Sequence, residues 1–348
     1  AAFSAHVEIT SAKAPTVSNL AKAILSNNEV KTPITTPGTE VSTESEALLA
    51  STEDDYGTSY YFRGAVTDNY IQFANMCWRI VRINGDGSIK LVLHNKNIEN
   101  KTDPCSPRNN SDTGAFAYNK STSNFNSAFN STSSDDNAYI GFMYGTAGSS
   151  DYASTHANIN KSTILTHLET WYASYLTSFD DKIADTVWCN DKTNITDTTF
   201  NPNNYNNVTG LGYSNNITYY ATYQRLVSTR QTAGGTGPSL KCNGELSKIT
   251  AKIGLLSADE VVFAGYTFKM GNTTPYLQEN TGGASWWTMS PDFCNVDFGC
   301  GMFDVMGYYG YLETYLVGMV KAVRPAISLL PSTEVTGSGT SEEPYIVN

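Results

Sequence analysis

Between Trp286 and Pro325 the chain gathers Phe293, Phe298, Phe303, Tyr308, Tyr309, Tyr311 and Tyr315 among many glycines. The chemistry open to such residues is recognition. Tyrosine offers a large contact area and a hydrogen-bonding tip while losing little side-chain entropy. Asn295, Asp297, Asp304, Glu313 and Thr314 lie between the rings and supply polar groups that orient a ligand. The contact set expected is therefore Phe293, Asn295, Asp297, Phe298, Asp304, Tyr308, Tyr309, Tyr311, Glu313, Thr314 and Tyr315. Phe303 and Val305 alternate as one buried strand face would. Tyr308-Tyr309-Gly310-Tyr311 falls where a turn is expected, and its rings cannot all point inward.

Catalytic signatures are sparse. The four histidines, His6, His94, His156 and His167, form no HExxH or other metal-ligand spacing. No GxSxG, P-loop or dinucleotide-type glycine motif occurs. Acidic pairs such as Asp54/Asp55 and Asp180/Asp181 read as solvated charge. The expectation is a binding protein rather than an enzyme, with no cofactor and no metal.

The elements that must position this segment are short. SYYFRGA and NYIQFANM read as strands, and CWRIVRI with SIKLVLH as a hairpin closed by Asn84-Gly85-Asp86-Gly87. AYIGFMYG (138–145) reads as a further strand. Helical spacing of Ile164, Leu165, Leu168, Trp171, Tyr172, Tyr175, Leu176 and Phe179 predicts a helix over 162–179, capped by Asn160 or Ser162. Ser257-Ala-Asp-Glu260 is a capping box that opens a second. Residues 95–137 and 190–241 read as long polar loops. An amphipathic helix is expected over 14–26, with Val17, Leu20, Ile24 and Leu25 on one side, followed by a Ser/Thr/Pro-rich stalk or linker from Lys31 to Asp55. The organisation expected is 1–55 helix and stalk, 56–330 binding domain, 331–348 tail. The fold class is α+β: mostly antiparallel short strands, two main helices and long loops.

Charged residues are only 16% of the 348, against about 25% for average usage. Asn, Ser, Thr and Tyr carry the polarity instead, a balance suited to exported proteins. The net charge of −11 argues against nucleic acid and against an anionic membrane surface. No run of apolar residues is long enough to span a bilayer. Asn-x-Ser/Thr sequons, as at Asn100, Asn130 and Asn216, recur as chance dictates in so Asn- and Thr-rich a chain. Cys77, Cys105, Cys189, Cys242, Cys294 and Cys300 are even in number and widely spread, without a CxxC. That pattern suits disulfides in an oxidising, extracellular or cell-surface setting better than zinc.

Taken in order, the motifs YYFRGAV, CWRIVRINGDGSIKLVLH, GFMYGTAGSSDYASTHANINKSTI, WCND, IGLLSADEVVFAG, WWTMSP, VRPAISL and GSGTSEEPYIV cover the chain from Ser59 to its end. This order resembles exported Firmicutes proteins with a C-type-lectin-like fold. That fold is shared with formylglycine-generating enzymes and with the variable proteins of diversity-generating retroelements. The resemblance implies a variable segment framed by Trp286-Trp287 and Val323-Arg324-Pro325. Such diversification yields NNY codons, which exclude Met, Trp, Lys, Glu and Gln, and residues 292–301 contain none of these five. Met302, Met306, Glu313, Met319 and Lys321 would then be fixed positions or departures from that pattern. It further implies a Cys189–Cys242 disulfide, with Cys77–Cys105 as a second pair. Cys294 and Cys300 are left open, as a bridge or as products of diversification.

A formylglycine-generating oxidase of the same fold carries two cysteines spaced Cys-x4-Cys as copper ligands. Here the spacing is Cys-x5-Cys and the surrounding arginines are missing. A calcium-dependent sugar site would need Glu-Pro-Asn or Gln-Pro-Asp with Trp-Asn-Asp, and the chain has none of them. The expected function is a surface-displayed or secreted adhesin- or receptor-like protein that binds a protein or glycan partner, as a monomer or small oligomer. The alternative is a structural pilin-like or surface-layer subunit.

Overall fold

The computed structural model describes residues 17–117, 125–132 and 135–348. The described chain enters at Ser18–Asn19 (β1) and helix Leu20–Asn27 (α1), where the Asn19 side chain accepts from the Lys22 amide at 3.3 Å. Leu20 and Ile24 are buried, but Val17 and Leu25 face outward. The apolar side expected for this helix is thus narrower, and residues 14–16 lie outside the described set.

Five strands follow: Ala47–Asp54 (β2), Gly57–Gly64 (β3), Tyr70–Phe73 (β4), Met76–Ile83 (β5) and Ile89–Asn95 (β6). β5 and β6 form the expected hairpin. Its turn is closed by Asn84 N–H to Ser88 O at 2.8 Å, with Gly87 at φ +84°.

The middle of the chain holds Asn126–Ala128 (β7), Met143–Tyr144 (β8), Tyr152–His156 (α2), Asn160–Lys161 (β9) and Thr163–Tyr175 (α3). The strand expected over 138–145 is confined to β8. Ser162 caps α3 as its hydroxyl accepts from the Leu165 amide. The apolar side of α3 packs Trp171 edge-on to Trp78, ring centroids 6.3 Å apart. Thr186–Cys189 (β10) pairs with Lys248–Ala251 (β12). Between them, the stretch expected as loop contains Thr218–Tyr219 (β11) and Ala221–Leu226 (α4). Ala258–Phe263 (α5) starts from the expected capping box, both of whose hydrogen bonds are present. It is only six residues long, so the second main helix is a short one; α1 exceeds it.

The C-terminal third is Trp286–Asn295 (β13), Gly299–Met306 (β14), Tyr311–Leu316 (β15), Val320–Ala322 (β16), Ala326–Leu329 (β17), Glu334–Thr336 (β18) and Tyr345–Val347 (β19). The larger sheet runs β1-β18-β19-β4-β5-β3-β2, with β6 joining β5 to β17; a second runs β15-β14-β13-β16-β7, with β11 beside β13; β10-β12 and β8-β9 form two-stranded sheets. The result is a mixed α+β fold of open, mostly antiparallel sheets. One continuous apolar core joins them, centred on Trp78, Trp188, Trp286 and Trp287, all fully buried.

Two boundaries expected from the sequence are displaced. The presumed stalk ends before β2, which pairs along its whole length with β3 and buries Leu48, Leu49 and Ala50. Residues ahead of it are clamped to the domain: Glu46 is fully buried, accepts from the Ile34 amide at 2.7 Å and pairs with Arg63 at 3.1 Å. β2 lies at the end of the sheet order, so its outward positions are Ser, Thr and Glu, which mask the alternation. The presumed tail supplies β18 and β19, and β19 lies inside the sheet between β18 and β4.

Candidate functional site

Strands β13, β14 and β15 form an antiparallel meander whose two connecting turns point to opposite ends of the sheet. Since β14 runs from Gly299 to Met306 at ~3.3 Å per residue, the turns are about 23 Å apart. The residues expected as one contact set are therefore divided between two places.

At one end is the turn 307–310. Tyr308 and Tyr309 are 74% and 55% exposed. Their rings meet edge to face at 5.0 Å, and Tyr309 stacks on Tyr311 at 5.7 Å. The turn is held from below: the Asn272 amide donates to the carbonyls of Tyr309 (3.1 Å) and Gly310 (2.9 Å). Gly310 has φ +69°, and a Cβ there would sit 2.1 Å from the Asn272 carbonyl oxygen. Only glycine permits that approach. The tyrosines are thus exposed rings on a fixed backbone, an arrangement that suits binding because little order remains to be imposed on contact.

At the other end is the turn 296–298. Phe298 is 63% exposed, whereas Phe293 is half-buried, its ring 5.4 Å from Tyr205. Tyr205 also lies 6.1 Å from Phe298 and stacks on Tyr219 at 6.1 Å. Asn295, expected as a contact residue, is buried, and its Oδ1 accepts from the Asp297 amide at 2.8 Å. It shapes the turn rather than meeting a ligand. Asp297 itself is exposed.

Along β15, Tyr311, Glu313 and Tyr315 share one face and Leu312, Thr314 and Leu316 the other. Asp304, expected to orient a ligand, is fully buried opposite Glu313. Lys321 reaches it from β16, Nζ to Oδ2 at 2.9 Å, and lies 3.7 Å above the Tyr315 ring. Burial raises the Asp304 carboxyl to about 6; Lys321 opposes the rise and Glu313 adds to it. Asp304 therefore acts through Lys321, and through it holds Tyr315 in place. Glu313 reaches Lys269 at 3.6 Å and remains partly exposed.

Sequence reasoning passed over Asp292. Its side chain is fully buried and lines a pocket of 260 Å³ between β13, β14 and β15, with Phe293, Gly301, Thr314, Tyr315, Leu316 and Met319. Oδ1 accepts from the Phe293 amide, while Oδ2 has no hydrogen-bond partner. Burial, above all, pushes the carboxyl well above the usual carboxylate range; the Phe293 amide and the Thr314 side chain oppose this and Asp304 reinforces it. The available signal was an acid interrupting the otherwise uncharged strand WWTMSPDFC. Tyr205 comes from the loop-rich middle, where no local pattern marks it.

All six cysteines are bridged: Cys77–Cys105, Cys189–Cys242 and Cys294–Cys300. The last bridge joins facing residues of β13 and β14 and fixes the mouth of the 296–298 turn. Three disulfides fit an oxidising environment. Among the described residues, no helix is long and apolar enough to cross a membrane. In comparisons with protein-family models, with curated proteins and with solved structures, none matches the chain.

Proposed function

We propose that the chain is a secreted or surface-displayed binding protein of C-type-lectin-like type, adhesin- or receptor-like, whose recognition surface is the β13–β15 meander and its turns. One observation carries this reading. Within a single short segment, Phe298, Tyr308, Tyr309 and Tyr315 are exposed while their strands are locked by a disulfide and buried rows. Exposed rings gathered on a rigid frame are what an interface core requires. The site offers rings, hydroxyls and carboxyls, the groups that make contacts with a partner surface.

The test is the natural variation of the gene. Near-identical copies from one population should differ chiefly between 290 and 322, with Cys294, Cys300 and Gly310 kept. Differences spread evenly along the chain overturn the reading. Size measurement of the purified protein adds a second check: a monomer or small oligomer is expected, and polymers would favour a structural subunit instead.

A further inference from the structure

The turn 296–298 and the pocket beside it pose a question the tyrosine turn does not: why a carboxyl is placed in an apolar strand and left half-satisfied. Gly301 faces it across the β13–β14 ladder. A Cβ at Gly301 would lie 2.6 Å from Asp292 Oδ1 and 2.8 Å from Oδ2. The ladder shifts register between Pro291 and Cys294, which gives the carboxyl its room. A glycine and a bulge thus combine to seat one acid at the floor of a pocket. A buried carboxyl with one oxygen unpartnered costs free energy that an apolar residue of similar size would not. Bulges that re-aim one side chain are typical of binding sites.

The walls narrow the choice of ligand. Phe293, Leu316 and Met319 make the lining largely apolar, Thr314 adds a hydroxyl, and Tyr315, whose ring already carries Lys321 at 3.7 Å, closes one side. Apolar walls above a single acid match a long apolar stem ending in a positive charge. Aromatic faces favour such a cation further, and a chain of net charge −11 attracts it from a distance.

We propose that the pocket over Asp292 binds a primary ammonium group carried on an aliphatic stem, the chemistry of a lysine side chain presented by a partner protein. This rests on the recognition reading above and names a ligand for only one end of the meander. Burial disfavours the ionised carboxyl while the pocket is empty; an ammonium favours the ionised form, and any proton displaced leaves for solvent. The titratable groups that act on it are Asp304, across the sheet from β14, and the phenols of Tyr205, Tyr219, Tyr220 and Tyr223. Lys321 is committed to Asp304 on the other face of the sheet.

The experiment uses the full chain with three probes: n-butylamine, Nα-acetyl-lysine methylamide and n-butanol, followed by calorimetry and by chemical-shift changes. Both amines should bind with Kd on the order of 1 mM, more tightly as pH rises from 5 to 8, and with a heat that varies with the ionisation enthalpy of the buffer. n-Butanol should bind at least tenfold more weakly. Asp292→Asn should abolish amine binding, and so should Met319→Trp, a change at an exposed rim residue, with circular dichroism of both variants expected to match the parent. Tyr308→Ala/Tyr309→Ala should leave it unchanged, so failure here and failure of the tyrosine reading are told apart. Tight binding of butylamine but not of the lysine derivative would point to a free alkylamine and overturn the protein-borne source. Equal binding of n-butanol, or unaltered amine binding by Asp292→Asn, overturns the proposal.

Discussion

Lys90 Nζ lies 2.7 Å from Glu260 Oε1, a contact that ties the first sheet to the start of α5. The same oxygen receives Arg82 Nε at 2.8 Å, while Oε2 accepts from the Ser257 amide at 2.9 Å. One carboxylate therefore completes a helix cap and neutralises two cations of the β5–β6 hairpin. Burial raises its pKa, but Lys90 and Arg82 outweigh that and hold it at about 2.

Replacing it exposes the size of the effect. Glu260→Gln keeps the shape and removes the charge, leaving Lys90 and Arg82 short of a counter-ion in a buried place. A loss of about 3–5 kcal/mol is expected from denaturant midpoints. Because the folded pKa is depressed, this stability is present above about pH 4.5 and lost as pH falls towards 2. The variant should therefore show a flatter acid limb over that window.

The buried histidine His156 gives a separate pH signature. Burial, then the charge of Lys192, lowers its pKa to about 3, and its Nε2 contacts the Gly212 carbonyl at 2.8 Å. The unfolded chain takes up this proton near pH 6.5, so stability falls as pH drops from 6.5 towards 3, by at most about 1.4 kcal/mol per pH unit. His94 is shifted in the same direction, well below its ordinary value, by burial and then Arg79 and Arg324. Thermal unfolding of His156→Gln between pH 6.5 and 4.5 should show a shallower slope than the parent, though not a flat one.

The bridges should differ in worth. On the loop-entropy account, Cys189–Cys242, closing a separation of 53 residues, contributes about 4 kcal/mol, and Cys294–Cys300, closing 6, about 2 kcal/mol. Paired Cys→Ser variants compared by urea unfolding check the order. The reverse ranking would mean that the short bridge restrains the native hairpin more than the unfolded chain.

Gly310→Ala should cost about 2 kcal/mol or more, because it strains a left-handed residue and drives a methyl into the Asn272 carbonyl. Amide exchange should show 307–310 loosened. Tyr308→Ala/Tyr309→Ala, by contrast, should leave the unfolding midpoint within about 0.5 kcal/mol of the parent.

What could be read from the sequence was what local chemistry determines. Asn84–Gly87 and Ser257–Glu260 carry their own turn and cap geometry, and both appear in place. The exposure of Tyr308 and Tyr309 followed from a turn that had to exist. What stayed hidden depends on partners distant in sequence. β2 looked like a linker because half of its face meets solvent, and β19 like a tail because its neighbours, β4 and β18, lie far apart along the chain. Asn295 and Asp304 looked like ligand contacts because residue type does not tell which face of a strand is covered. Asp292 could not be distinguished from other acids until Gly301 was seen across from it.

The pairing of β1 with β18, and of β18 with β19, has a mechanical consequence. Ser18 and Val347 are joined through a single intervening strand, so tension applied between those two points runs across two short ladders of the first sheet. The meander of β13–β15 lies off that line of force. A pull between Ser18 and Val347 strong enough to peel β1 away would act on those ladders, and not on the strands that carry the tyrosine turn and the Asp292 pocket.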